Sequence, residues 1–123
     1  MGVLRGRVVT GVGSFSYWIE RLREHYRAKT GVTLFPGTLN VQLDEPFELP
    51  RERVRLEGEE YGGTVSVNIV PCRVFGRAAF ILRTDKADGE PESRKIVEVA
   101  CEVKLREQHE LRDGDWVEVE VNN

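Results

Sequence analysis

Apolar and polar residues alternate along most of the chain, with the period of two that is typical of strands buried on one face. In Thr38–Leu43, Leu39, Val41 and Leu43 point one way and the polar residues between them point the other. Such alternation, or a short apolar run, predicts strands at Val3–Thr10, Thr38–Leu43, Thr64–Phe75, Ala78–Leu82, Val97–Val103 and Trp116–Val121. Short strands with few helices predict a mainly β fold, a small closed or half-closed barrel. A parallel doubly wound sheet is disfavoured because it needs more crossover helices.

One segment has the spacing of a helix instead. In Ser16–Lys29 apolar residues recur at steps of three and four, with charged residues on the opposite side, which predicts one amphipathic helix ending before Gly31. A second, short helix is predicted over Leu105–Leu111. Thr84–Glu92 contains an Asp-Gly pair, a proline and many charges, which predicts a mobile loop.

Composition narrows the classes of protein that this chain can be. The 123 residues, 40% hydrophobic and 32% charged, predict a single globular domain over residues 1–123. The formal net charge of −3 argues against binding to nucleic acid through overall positive charge, and no apolar run reaches the length of a membrane span. Cys72 and Cys101 form no CxxC pair, which favours two reduced core thiols over a zinc site. We expect a cytoplasmic monomer without nucleic-acid or membrane partners.

The segment between the first strand and the first helix is a candidate phosphate loop. It reads Gly11-Val12-Gly13-Ser14-Phe15-Ser16. Glycines let the backbone approach a phosphate closely, and the start of a helix offers unpaired N–H groups. A tight turn at one of the glycines is the alternative. The segment lacks the third glycine of a dinucleotide fingerprint and the Gly-Lys-Ser/Thr of a Walker loop.

Thr38 and Asn40 are candidate ligands of a metal ion. They project from the same face of one predicted strand, two residues apart. A hydroxyl and an amide oxygen so placed can both reach a hard cation such as Mg²⁺, which prefers oxygen ligands. The alternative is that both side chains face solvent, or that Thr38 supports the turn at Gly37.

The run Lys104-Leu105-Arg106-Glu107 is a candidate anion site at the end of a strand. Arginine and lysine there can hold phosphate oxygens. The alternative is the charged first turn of a surface helix. Glu98 lies on the polar side of its predicted strand, where it can contact a ligand or face water.

Several short segments, in a fixed order and spacing, are more specific together than any one of them alone. They are Val8-Val9-Thr10-Gly11-Val12-Gly13, Gly37-Thr38-Leu39-Asn40-Val41-Gln42-Leu43, Val70-Pro71-Cys72-Arg73-Val74, Ala78-Ala79-Phe80-Ile81-Leu82-Arg83-Thr84, Ile96-Val97-Glu98-Val99-Ala100, Lys104-Leu105-Arg106-Glu107-Gln108 and Leu111-Arg112-Asp113-Gly114-Asp115. Over nearly its whole length the chain resembles the CTP-dependent riboflavin kinases best known from archaea.

The resemblance implies a compact six-stranded β-barrel of the cradle-loop type. It also implies transfer of the γ-phosphate of CTP to the 5′-hydroxyl of riboflavin, giving FMN and CDP, with Mg²⁺ as cofactor. By position, Thr38 and Asn40 would bind Mg²⁺, and Thr84 and Glu98 would contact the flavin. The nucleotide would be held by two segments, which comprise Gly11, Val12, Gly13, Ser14, Phe15 and Ser16, then Lys104, Leu105, Arg106 and Glu107.

Two departures from the family pattern leave alternatives open. Phe15 stands where the family's loop usually has a third glycine, so its ring can narrow the phosphate cradle or stack on something else. The segment after Thr84 is longer and more charged than usual, and without a gap Glu90 takes the place of Thr84. A non-catalytic barrel of the same descent, binding a nucleotide, flavin or protein partner, is therefore the alternative to a kinase. The acceptor of the hydroxyl proton also stays open, between Glu98, Glu107 and no side chain.

Overall fold

A computed structural model describes residues 2–11 and 15–121 of the protein. The described residues form one antiparallel sheet in the order β3-β4-β5-β6-β2-β1-β7. The strands are β1 Gly2–Val9, β2 Leu39–Leu43, β3 Val54–Leu56, β4 Val67–Val74, β5 Arg77–Thr84, β6 Ile96–Ala100 and β7 Trp116–Val121. A further pairing between β4 and β7 closes six of them into a barrel, and β3 is an extra strand on the edge of β4. The predicted mainly β barrel is confirmed.

The barrel closes because every predicted strand has one apolar face to turn inward. Residues such as Val8, Val41, Val99 and Val119 are fully or almost fully buried in this interior core. Both cysteines are buried and free of disulfide bonds, and they belong to the same core. The alternation that predicted the strands therefore has a direct physical cause, the exclusion of water from one face of the sheet.

A second core lies on the outer face of β4, β5 and β6, where helices cover it. Ile69 and Leu82 belong to this outer core, whereas their neighbours Val70 and Ile81 belong to the interior core. Strands buried on both faces lose the apolar–polar alternation, and the first four residues of β4 are accordingly all buried. The prediction missed β3 because it has only three residues, one of them Arg55.

The covering helices differ from the prediction of a single helix over Ser16–Lys29. The structure has two, α1 Phe15–Arg21 and α2 Arg23–Thr30, with a break at Leu22. Ile19, Leu22 and Tyr26 all pack into the outer core. Helix α2 ends as predicted at Gly31, which takes a left-handed φ of 82° that glycine adopts without strain.

The segment predicted as a mobile loop after β5 contains ordered turns instead. Helix α3 spans Asp85–Asp88, and a 3-10 turn spans Ser93–Lys95. The Thr84 hydroxyl accepts a hydrogen bond of 3.1 Å from the Ala87 N–H and caps the start of α3. Helix α4, Leu105–Gln108, ends earlier than predicted. Within the described ranges, every helix is too short or too polar to cross a membrane.

Candidate active site

Two adjoining cavities open at the end of the barrel where β1 ends and β2 begins. The first has a volume of about 500 Å³ and the second about 280 Å³. Their shared wall consists of Val9, Thr10, Gly11 and Asn40. Ligands in the two cavities would therefore meet across the side chain of Asn40.

The first cavity gathers side chains from three separate parts of the chain. Thr38 and Asn40 come from the start of β2, Gly11 follows β1, and Lys104 and Arg106 flank the start of α4. Of the residues predicted to hold a nucleotide, those that line this cavity are Gly11, Ser16, Lys104, Leu105 and Arg106. The folding of the barrel thus brings the two predicted nucleotide segments together.

Other predicted nucleotide residues lie elsewhere. Glu107 lines neither cavity, and its exposed carboxylate pairs with Lys104 at 3.0 Å. Val12, Gly13 and Ser14 lie outside the described residues. Phe15 lines the second cavity.

The first cavity has two cationic side chains, Lys104 and Arg106, and each of them pairs with an exposed carboxylate. Arg106 pairs with Asp113 at 2.5 Å, and the same carboxylate accepts a hydrogen bond of 2.7 Å from Thr10. The Arg106 guanidinium, and secondly the Thr10 hydroxyl, hold the pKa of Asp113 below its usual value. Ion pairs exposed to solvent contribute little free energy, so an anionic ligand can compete for both Lys104 and Arg106. Among the described lining residues of this cavity, these two carry the only formal charges.

Asn40 is bonded to a neighbour on each side. Its amide satisfies both neighbours when Nδ2 donates to Glu98 Oε1 at 3.0 Å and Oδ1 accepts from the Gly11 N–H at 3.1 Å. Glu98 stands directly opposite Asn40 in the β2–β6 register. Gly11 approaches so closely that a Cβ there would lie 1.8 Å from a terminal atom of the Asn40 amide. Only glycine permits this contact.

Glu98 also accepts a hydrogen bond of 3.1 Å from the Thr38 hydroxyl. Burial raises the pKa of Glu98, and the bond from Thr38 opposes that rise. The two neutral oxygens of Thr38 and Asn40, next to one carboxylate, fit a cation that keeps several waters and binds substrate phosphates, as Mg²⁺ does. A cluster of three or more His, Cys, Asp or Glu ligands is not found in the described ranges. The donor set therefore suits Mg²⁺ better than a tightly caged metal.

The second cavity is more apolar. Its wall includes Phe15, Leu82, Ala87 and Ile96, which belong to α1, β5, α3 and β6. The two residues predicted to contact a flavin, Thr84 and Glu98, both line it. Glu90, which replaces Thr84 in an ungapped alignment, is exposed and does not. An apolar wall with a few polar groups is the usual lining of a site for a planar organic ligand.

The ring of Phe15 is part of the outer core and does not line the first cavity. It is 8% exposed and packs in the cluster that contains Ile19 and Leu82. Of the two alternatives that the sequence left open, the geometry favours the ring packing on something else.

Arg83 lines the second cavity and was missed as a candidate. Its side chain is only 3% exposed. The guanidinium donates to Phe47 O at 2.6 Å, Asp88 Oδ1 at 3.2 Å, Arg94 O at 3.0 Å and Ile96 O at 3.5 Å. It therefore ties the loop after β2 to α3 and to the 3-10 turn. A signal was present, because Arg83 follows the core residues Ala79 and Ile81 at the alternating spacing of β5.

A buried asparagine braces the other end of α3. Asn68 is completely buried, and its Oδ1 accepts from Arg53 and Arg55, each at 2.7 Å. Its Nδ2 donates to Asp85 at 2.8 Å and to the Arg83 carbonyl at 3.1 Å. Arg55, the nearest cation, holds the pKa of Asp85 below its usual value. Both ends of α3 are thus tied to the barrel.

Comparison with known proteins adds a second line of evidence. A family model labelled CTP-dep_RFKase, with the description "Domain of unknown function DUF120", matches residues 8–121. A protein of Methanocella arvoryzae named "Riboflavin kinase" is 39% identical over 95% of this chain and 56% of its own length. Proteins with the same name from Archaeoglobus fulgidus and Pyrobaculum aerophilum are 38% and 33% identical over 96% of this chain, and over 54% and 60% of theirs. The chain spans little more than half the length of these relatives.

Proposed function

This chain belongs to the CTP-dependent riboflavin kinase family, and on that premise we propose that it transfers the γ-phosphate of CTP to the 5′-hydroxyl of riboflavin. The products are FMN and CDP. The observation that carries the proposal is the contrast between two cavities that share one wall at Asn40. One offers cations to a polyphosphate, and the other offers an apolar surface to a flavin ring.

The nucleotide occupies the first cavity in this proposal. Lys104 and Arg106 can exchange their exposed carboxylate partners for phosphate oxygens, which also accept charge-assisted hydrogen bonds. Gly11 lines this cavity, and glycine lets the backbone come near bound phosphates. A polyphosphate needs several such groups, because the overall charge of −3 does not attract it.

Riboflavin occupies the second cavity. Its ring system is planar, uncharged and apolar on both faces, and it suits the wall formed by Phe15, Leu82 and Ile96. Arg83 is the cation of that wall, but four acceptors already surround its guanidinium. The second cavity therefore offers little to a triphosphate, which supports the assignment of the nucleotide to the first.

The reacting groups meet at the shared wall. Phosphoryl transfer needs the acceptor hydroxyl in line with the γ-phosphate, together with positive charge around the transferring group. Thr38 and Asn40 would hold Mg²⁺, which when bound supplies charge that neutralises the phosphate oxygens. Of the two carboxylates considered as proton acceptors, Glu98 lines the proposed flavin cavity, and Glu107 lines neither cavity.

The test is to incubate the protein with riboflavin, Mg²⁺ and, separately, CTP, ATP, GTP or UTP, and to measure FMN by chromatography. FMN formed with CTP, and at much lower rates with the other nucleotides, is the expected result. Equal rates with all four would contradict the assignment of CTP as donor. Binding of CDP and riboflavin without turnover would instead identify a non-catalytic member of the family, and binding of neither would refute the proposal.

A further inference from the structure

Glu98 contacts both of the residues proposed to hold Mg²⁺, although it lines the other cavity. Its Oε1 accepts the Thr38 hydroxyl at 3.1 Å and the Asn40 amide nitrogen at 3.0 Å. Thr38 and Asn40 line the first cavity, and Glu98 lines the second. One carboxylate oxygen therefore links the two halves of the site.

The bond to Glu98 decides which way the Thr38 hydroxyl points. A hydroxyl has one proton and two lone pairs, and it rotates freely unless a partner fixes it. With its proton donated to Glu98, the lone pairs of Thr38 point away from that carboxylate. An oxygen held in this way presents acceptors, and not a proton, to a cation.

The same carboxylate decides how the Asn40 amide is turned. The nitrogen and oxygen ends of an amide have nearly the same shape, so the surrounding partners select the orientation. Donation from Nδ2 to Glu98 places Oδ1 toward Gly11, whose N–H uses one of its two lone pairs. The second lone pair is left for a ligand. With the amide turned the other way, two N–H donors would face the backbone N–H.

We propose that Glu98 is a positioning residue for the cation and nucleotide site, in addition to lining the flavin cavity. Its carboxylate fixes the Thr38 hydroxyl and the Asn40 amide so that both present oxygen lone pairs to the first cavity. This inference rests on the proposed function, and it adds a role for Glu98 that does not depend on bound flavin. Groups that orient metal ligands typically change metal affinity by roughly 10- to 100-fold when they are replaced.

The experiment measures CDP binding by calorimetry in the absence of riboflavin, once with Mg²⁺ and once with a chelator. In Glu98→Met the side chain keeps nearly the same length but offers no oxygen to Thr38 or Asn40, whereas glutamine would keep one oxygen that can accept both hydrogen bonds. We expect the gain in CDP affinity from Mg²⁺ to fall about 10-fold, while the affinity with chelator stays the same. Glu118→Met, which replaces an exposed carboxylate on β7 outside both cavities, is the matched control and should keep the full gain.

Thr38→Val supplies a double-mutant cycle that separates positioning from a general loss of structure. Alone it should reduce the gain in CDP affinity from Mg²⁺. In the Glu98→Met background it should cost much less, because the two residues act through one hydrogen bond. Fully additive losses would contradict the proposal. Should Glu98→Met fail to fold, Thr38→Ser, which keeps the hydroxyl, must retain the gain that Thr38→Val loses.

The outcomes also separate this inference from the proposed function. If the wild-type protein gains CDP affinity from Mg²⁺ and Glu98→Met keeps that gain while losing riboflavin affinity, Glu98 is a flavin contact only and the inference is refuted. If the wild-type protein shows no gain in CDP affinity from Mg²⁺, the inference is refuted, and the proposed function is judged separately by whether FMN forms from CTP and riboflavin.

Discussion

The two cavities use arginine in opposite ways, although they share a wall. Arg106, in the first cavity, pairs with one exposed carboxylate, whereas Arg83, in the second, is buried and bonded to three carbonyls and Asp88. A guanidinium whose donors are in use holds protein segments together, and one held by a single surface pair is available to a ligand. The number of free donors, and not the presence of an arginine in a cavity wall, therefore indicates where an anion binds.

The largest expected effect on activity comes from replacing Asn40, in the wall that the two cavities share. Asn40→Ala removes the contacts to both Glu98 and Gly11 and one proposed Mg²⁺ ligand, so FMN formation should fall by about 100-fold or more. Chromatography of FMN and circular dichroism of the variant provide the measurement. Gln42→Ala, on the same face of β2 but in neither of the two cavities, is the control. Retained activity in Asn40→Ala would refute the assignment of Asn40 as a ligand of Mg²⁺.

Arg83→Met is expected to have the largest effect on stability. The variant leaves the carbonyls of Phe47 and Arg94 without their donor in a buried setting, at a cost of about 3–5 kcal/mol in the free energy of unfolding. Urea unfolding followed by circular dichroism measures this. A loss below about 1 kcal/mol would show that Arg83 does not brace the second cavity.

Arg106→Met should do the opposite of Arg83→Met: it should change stability little and weaken the binding of CTP. The free energy of unfolding should change by less than about 1 kcal/mol, because the pair with Asp113 is exposed. The KM for CTP should rise by roughly 10-fold, since a charge-assisted hydrogen bond is lost. Steady-state kinetics with each substrate varied in turn should leave the KM for riboflavin unchanged. A rise in both KM values would contradict the separation of the two cavities.

Phe15→Leu tests the apolar wall of the second cavity. Leucine keeps most of the volume in the outer core, so stability should fall by less than about 1.5 kcal/mol. The KM for riboflavin should rise by roughly 3- to 10-fold through lost ring contact, and the KM for CTP should not change. A lower KM for CTP, or a faster reaction, would show that the ring restrains the phosphate loop after all.

The smallest expected effect is the pH dependence of the Arg106–Asp113 pair. Because Arg106 lowers the pKa of Asp113 in the folded protein, the pair stabilises the fold above the ordinary aspartate pKa of about 3.9. That contribution is lost as the pH falls through the lowered folded value. The Tm of Asp113→Asn should therefore lie slightly below wild type at neutral pH and converge with it on acidification. A difference that grows toward low pH would have the wrong sign.

The sequence by itself predicted the barrel, because a strand buried on one face must alternate and most of these strands do. Through a resemblance whose segments lie in order along the chain, it also predicted part of the lining, including Asn40, Arg106 and Glu98, but it missed Arg83. It did not predict β3 or the break at Leu22, since a three-residue strand and a helix interruption are decided by the outer core that they pack against. Helix α3 was missed because its ties run to Asn68 and Arg83 on other elements.

Only the tertiary structure decided how the site residues act on one another. Thr38 and Glu98 are 60 residues apart in the chain, and strand register alone places Asn40 opposite Glu98. Which arginine is free and which is buried also depends on the neighbours that folding supplies. The alternation of apolar and polar residues is a local property, so it can be read directly from the sequence. Hydrogen-bond partners and burial depend on contacts between segments that are distant in the chain, so no local pattern predicts them.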